Sequence, residues 1–151
     1  MNSYELYYRE NLYPLQDGVM SIIKKLNTPF FLTGGTALSR HYYNHRYSDD
    51  LDLFVASDNL YQDWIEKVLE ALFQEEQRTM LVVDRQTIRR LKEFTQVFVH
   101  ASAGAQHSLK IDFVNDVAAR YGDFETNEHL GTIDSWRNIL SNKISSLCIA
   151  R

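Results

Sequence analysis

The run Ser48-Asp49-Asp50-Leu51-Asp52-Leu53-Phe54 limits what this chain can fold into more than any other stretch. Asp50 and Asp52 lie two apart in an apolar segment, and alternate side chains of a β-strand point to the same face. Both carboxylates therefore project together, roughly 7 Å apart at their Cα atoms. Such a pair repels and costs free energy unless a cation sits between the two. A hard divalent cation that prefers oxygen ligands fits, Mg²⁺ first and Mn²⁺ as a substitute. Just upstream, Gly34-Gly35-Thr36-Ala37-Leu38 reads as a turn entering a helix, whose backbone N–H groups can receive a phosphate. Glycines for phosphate and alternate aspartates for metal together point to nucleotide chemistry.

A third acid comes from the segment Lys110-Ile111-Asp112-Phe113-Val114. Alternation puts Lys110, Asp112 and Val114 on one face and Ile111 and Phe113 on the other. A carboxylate inside an apolar strand needs a partner. If this strand lies beside residues 51–56, Asp112 joins Asp50 and Asp52 around a two-ion site that orders a triphosphate and activates a hydroxyl. Asp112 would then hold the second ion or take the proton from the acceptor hydroxyl. Asp49 projects the opposite way and is the weaker ligand.

Periodicity supplies the rest of the frame. Residues 3–26 are expected to be helical, interrupted near Pro14, and residues 29–33 form a short buried strand running into the glycine turn. Helical spacing resumes over residues 36–43, with Ala37, Leu38, His41 and Tyr42 on a shared face. Residues 51–56 are the second strand, and Asp58 is an N-cap for a helix over 60–74 with the stripe Leu60, Trp64, Val68, Leu72 and Phe73. Strands are expected over 80–85, 91–101 and 108–114, the last two joined as a hairpin through residues 102–105. From Thr132 the chain is expected to be helical, with Ile133, Trp136, Leu140, Ile144 and Leu147 on one side and Cys148 in the core.

The 151 residues suit a single α/β domain, 1–151, with a mixed, twisted sheet backed by helices on one face and the acids on the open face. A net charge of −4 excludes a general basic nucleic-acid binder. The cluster Arg85, Arg89, Arg90 and Lys92 is either a local phosphate-facing patch or a strand edge protected by charge. A lone cysteine excludes an internal disulfide and suits a reducing cytoplasm, and no apolar run approaches membrane-spanning length. His41 and His45 lack the companions of a zinc site and are read as structural or paired with carboxylates. Tyr7-Tyr8 and Tyr42-Tyr43 are read as packing residues with wet hydroxyls.

Taken together, the Gly-Gly-Thr-Ala-Leu, Ser-x-Asp-Leu-Asp-Leu-Phe and Lys-Ile-Asp-Phe segments resemble the polymerase-β-type nucleotidyltransferase superfamily. More narrowly they resemble the AbiEii/AbiGii group of nucleotidyltransferase toxins, linked to abortive phage infection and type IV toxin–antitoxin pairs. The helix Ser135-Trp136-Arg137-Asn138-Ile139-Leu140-Ser141-Asn142-Lys143-Ile144 resembles a later motif of that group. The resemblance implies that Gly34, Gly35 and Thr36 hold a triphosphate, that Asp50, Asp52 and Asp112 are catalytic metal ligands, and that Lys143 approaches the nucleotide. Arg46, in the lead-in to the acid strand, is implied as a further phosphate contact.

The implied reaction moves an NMP from an NTP to an acceptor hydroxyl with two Mg²⁺ ions. The implied acceptor is a tRNA 3′ end or a protein, with a small molecule such as an antibiotic as the alternative, and a cognate antitoxin is expected. Members of the group continue past the lysine helix into an Arg…Lys-Asp segment, so the chain is expected to be shortened at its C-terminus. That leaves a competing expectation: an incomplete nucleotide- or partner-binding module that keeps the glycines and acids without turnover. A structural metal held by the acids is a third.

Overall fold

The computed structural model describes residues 1–44, 46–78, 81–101 and 107–149. Helix α1 (Ser3–Tyr7), a π-helical turn (Tyr8–Leu12) and α2 (Tyr13–Lys25) form one continuous helical run. Strand β1 (Phe31–Thr33) leads into α3 (Gly34–Ala37), which a second π-helical segment (Leu38–Tyr43) extends. Then come β2 (Leu51–Ala56), α4 (Tyr61–Glu75), β3 (Leu81–Val83), β4 (Arg89–Arg90), β5 (Phe94–Ala101) and β6 (Leu109–Asp116). The chain closes with β7 (Glu125–Asn127), β8 (Gly131–Ile133) and α5 (Trp136–Ile149).

The strands form one mixed sheet in the order β3-β5-β6-β2-β1-β8-β7, with β4 added beside β5. Its centre is the parallel pair β2 and β6, in which Leu51 faces Ile111, Asp52 faces Asp112 and Leu53 faces Phe113. Alternation then sorts the two faces. Leu51, Leu53, Val55, Leu109, Ile111 and Phe113 are fully buried against α2 and α4. Asp52, Phe54, Lys110 and Asp112 occupy the other face and remain half-buried. This is the expected α/β architecture, with helices backing one face; α5 stands at the rim of the acid face rather than leaving it fully open.

Several boundaries differ from expectation, each for a local reason. Pro14 does not break the first helix. It sits at the start of α2, directly after the π turn in which the Tyr13 N–H reaches the Tyr8 carbonyl, where a missing N–H costs least. Helix α4 begins at Tyr61, and Asp58 works from outside it, accepting from Leu60 N at 2.8 Å and from the Trp64 indole at 3.2 Å. The buried stripe of α4 is Tyr61, Ile65, Val68, Leu69 and Leu72, while Leu60 is exposed. Periodicity alone allowed either phase, and packing against α2 and β3 selected this one.

The segment from Thr132 is not helical at first. Thr132 and Ile133 belong to β8, where Ile133 faces Leu32 of β1, and α5 starts only at Trp136. Its inward positions are Asn138 and Ile139; Ile144 and Leu147 are exposed, and so is Cys148, which is not a core residue. β5 and β6 do pair antiparallel from Phe94 with Val114 to Val99 with Leu109. The expected hairpin turn at residues 102–105, Met80 at the head of the third strand, and His45 lie outside the described residues.

Candidate active site on the acid face of the sheet

The strand register makes a square. Asp52 is opposite Asp112, and one alternation back Asp50, just before β2, comes opposite Lys110. The Lys110 ammonium stands 3.3 Å from Asp50 Oδ2 and 3.6 Å from Asp112 Oδ2. Gln96, facing Asp112 from β5, donates its amide to Asp112 Oδ1 at 2.8 Å and fixes the orientation of that carboxylate. The three acids named from the sequence are thus on one face, with Lys110 drawn among them. Among the described residues no three His, Cys, Asp or Glu side chains close on a single point tightly enough to hold an ion by themselves.

Asp52 is the electrostatically frustrated member. Among the described residues its carboxylate has no hydrogen-bond donor, and burial pushes its pKa up to about 6. Asp112 and then Asp50 add to this, while Lys110 and Lys143 work against it. Burial works against the Lys110 charge too, but Asp112 and Asp50 outweigh it and hold its pKa above the ordinary lysine value.

The glycine turn approaches these acids from β1. Gly34 has φ +72°, a left-handed conformation, and a Cβ there would run into Asp52 Oδ2. A Cβ on Gly35 would lie 3.1 Å from Ser48 Oγ and 3.7 Å from the Arg46 guanidinium. Thr33, which precedes α3, gives no side-chain cap, because its hydroxyl donates to Asp134 Oδ2 at 2.8 Å instead. The first N–H groups of the turn are therefore left for another acceptor. Thr36 is buried; its hydroxyl bonds the Asp50 carbonyl and lies 2.9 Å from Ser48 Oγ, so it sets the position of Asp50, and only its backbone N–H belongs to the turn.

Lys143 and Arg46 line two separate cavities. Lys143, exposed on α5, lines a cavity of about 770 Å³ together with Thr33, Gly34, Asp52, Phe54 and Asn142. Arg46 is exposed beside Gly35 and lines a second hollow of about 760 Å³ with Arg9, Tyr13 and Tyr47.

Other residues hold this arrangement in place. Gln16 of α2, fully buried, donates to the carbonyls of Ser48 at 3.0 Å and Asp49 at 3.3 Å and accepts from Arg40 at 3.1 Å. The Tyr8 hydroxyl bonds Asp49, which is thereby turned away from the other acids. Tyr42 donates to the Asp134 carbonyl at 2.5 Å, so neither of these two phenols is the wet hydroxyl expected. His41 pairs with Glu125 at 3.4 Å, as expected for a structural histidine. Arg85 and Arg90 reach Glu76 at 2.7 Å and Glu66 at 2.6 Å on the α4 side, and Arg89 and Arg90 form the short edge strand β4. The charged-edge reading therefore describes Arg85 and Arg90.

Asp134 was not singled out from the sequence. It is fully buried and bonded to Thr33, to Arg120 at 2.5 Å and to Asn138 at 2.8 Å, which ties the end of β1 to the start of α5. The segment was read as helix, so a buried acid between β8 and α5 had no visible partner. Lys110 and Gln96 were also passed over. Strand alternation already put Lys110 on the Asp112 face and was the available signal.

The family described as nucleotidyl transferase AbiEii toxin, type IV TA system, matches residues 21–130. Among solved structures, a candidate nucleotidyltransferase from H. pylori superposes with a TM-score of 0.57 at 22% identity, covering 85% of this chain and 56% of that one. MenT4, a nucleotidyltransferase toxin from Mycobacterium tuberculosis, gives 0.56 at 16% identity over 89% of this chain and 51% of that one. A candidate nucleotidyltransferase from Thermotoga maritima gives 0.54 at 11% identity, over 99% of this chain and 89% of that one. The chain thus spans little more than half of the first two and most of the third. No curated protein gives a significant match.

Proposed function

This chain belongs to the AbiEii family of nucleotidyl transferase toxins of type IV toxin–antitoxin systems, and from that premise we propose that it moves an NMP from an NTP to an acceptor hydroxyl. The observation that carries the reading is the register of β2 and β6, which puts Asp52 opposite Asp112 directly beneath Gly34. Lys143 lines the same cavity as Gly34 and Asp52.

The donor set fits a hard cation: three carboxylates on one face, one of them held above its ordinary pKa by burial and then by the other two. Asp50, Asp52 and Asp112 would hold Mg²⁺, two ions in the full site, and the metal would neutralise the triphosphate and favour ionisation of the attacking hydroxyl. The uncapped N–H groups of Gly34, Gly35 and Thr36 bind phosphate oxygens. Gly34, having no Cβ, lets that turn lie against Asp52. Lys143 balances phosphate charge from the α5 side, and Arg46 does so from the Gly35 side. Gln96 keeps one oxygen of Asp112 bonded and leaves the other on the side of Lys110. Most of the acceleration comes from this positioning and electrostatics, as in phosphoryl transfer generally.

The family supplies the wider setting of the proposal: an acceptor that is a tRNA 3′ end or a protein, a cognate antitoxin as partner, and action in the cytoplasm where NTPs are abundant. No helix of the described residues is long and apolar enough to cross a membrane.

Calorimetric titration of each of the four ribonucleoside triphosphates, with Mg²⁺ and with chelator, tests the reading. Mg²⁺-dependent binding that vanishes in Asp52→Asn is the expected result. Absence of binding by the folded wild-type chain under both conditions would overturn it.

A further inference from the structure

The square of side chains at the start of β2 and on β6 contains its own cation. Asp50, Asp52 and Asp112 carry three negative charges, and Lys110 supplies one positive charge at 3.3 Å from Asp50 and 3.6 Å from Asp112. Lys110 lies opposite Asp50 in the parallel register and two residues from Asp112, so its ammonium is delivered by the same backbone that delivers the ligands. Its side chain is only about one-third exposed. Gln96 holds Asp112 Oδ1, so the oxygen that Lys110 meets is Oδ2, the one left free for an incoming cation.

We propose that Lys110 is a resident counter-ion of the acid cluster, which competes with divalent metal for Asp50 and Asp112 and keeps the nucleotide-free site weak for metal. The inference rests on the metal-site reading above. Three carboxylates and one ammonium leave two negative charges, which one divalent ion neutralises. A second ion gains little until a triphosphate brings further negative charge. The ion must also share Asp50 and Asp112 with the ammonium or displace it. The four-carbon stem of a lysine allows that displacement, and the long flexible side chain can turn toward the phosphates once it is released. Such a site stays folded without metal, with two net negative charges in place of three, and fills when metal and nucleotide arrive together.

The test is a Mn²⁺ titration of the whole chain without nucleotide, reading free Mn²⁺ by electron paramagnetic resonance. Wild type, Lys110→Met, Lys110→Arg and Asp52→Asn are compared. Removing the competing charge should tighten Mn²⁺ binding by about tenfold or more in Lys110→Met. Lys110→Arg, which keeps the charge, should bind like wild type, and circular dichroism establishes that each variant is folded. If Lys110→Met binds Mn²⁺ no tighter than wild type while Asp52→Asn loses binding, the counter-ion role is wrong and the metal site stands. If wild type and Lys110→Met both fail to bind, or Asp52→Asn binds as wild type does, the metal site itself is wrong and the inference falls with it. A Lys110→Met variant with weakened NTP binding and unchanged Mn²⁺ affinity would make Lys110 a phosphate ligand and also overturn the proposal.

Discussion

Two aspartates near the end of β1 have opposite fates. Asp134 is fully buried and satisfied: Thr33, Arg120 and Asn138 all donate to it, and Arg120 is itself sandwiched against Phe31 and Phe124 at 4.7 and 3.7 Å. Asp52, whose strand position faces Thr33, has no donor among the described residues and is crowded by two other carboxylates. A buried carboxylate with a full set of donors holds a structure together. One left short of positive charge is poised to receive a cation, and such frustration clusters at functional sites. Thr33 links the two: by bonding Asp134 it leaves the glycine turn uncapped on the side of Asp52.

Substitutions at the two positions should therefore separate activity from stability. Asp52→Asn is expected to lower the rate of nucleotide transfer by about a thousandfold or more, with a melting temperature of the metal-free protein equal to or above that of wild type. Transfer at the wild-type rate would remove Asp52 from the site. Asp134→Ala should show the reverse. It strands the Arg120 guanidinium in a half-buried position and should cost about 3–5 kcal/mol of unfolding free energy, measured by urea titration. A loss below about 1 kcal/mol would show that the Asp134 cluster is not the tie between β1 and α5.

Gly34→Ala probes the point where the two regions meet. A left-handed φ costs an L-residue about 1–2 kcal/mol, and the new methyl must push the Asp52 carboxylate aside. Reduced stability together with weakened Mg²⁺-dependent nucleotide binding is expected; a loss of stability alone would mean that the turn does not abut the metal ligands.

A change of pH alone probes the same carboxylate. The folded protein holds the Asp52 proton up to about pH 6, whereas the free carboxyl releases it near 3.8. Between those values the folded state binds more protons than the unfolded chain, so this group lowers stability as pH rises from about 4 to about 6 and adds no further slope above that. Comparing the metal-free wild type with Asp52→Asn isolates the contribution. The wild type should have the steeper fall in that window, and identical slopes would show that Asp52 is not frustrated.

Much of this was legible in the chain because it depends on alternation. The period of two in residues 51–56 and 109–114 assigned Leu53 and Phe113 to the core and Asp52 and Asp112 to the other face without reference to any partner. The same rule placed Lys110 beside Asp112, but gave no reason to value a lysine until Asp50 was seen across from it. Three-residue strands such as β7 and β8 carry too few residues to show a period, and the helical spacing after Trp136 was carried back over β8. In α4 the apolar residues support two stripes one residue apart, and only contact with α2 and the sheet chose between them.

By itself, the sequence determined which side chains share a face, where the chain turns with glycine, and that three carboxylates must find positive charge. These follow from local stereochemistry and from the cost of unpaired charge. Tertiary structure alone decided that β2 and β6 run parallel with Asp52 opposite Asp112, that Lys110 supplies the resident cation, and that Asp134 draws Thr33 away from the glycine turn. Each of these is a meeting of residues tens of positions apart, and strand register and helix docking are set by the packing of the whole sheet and core rather than by any one segment.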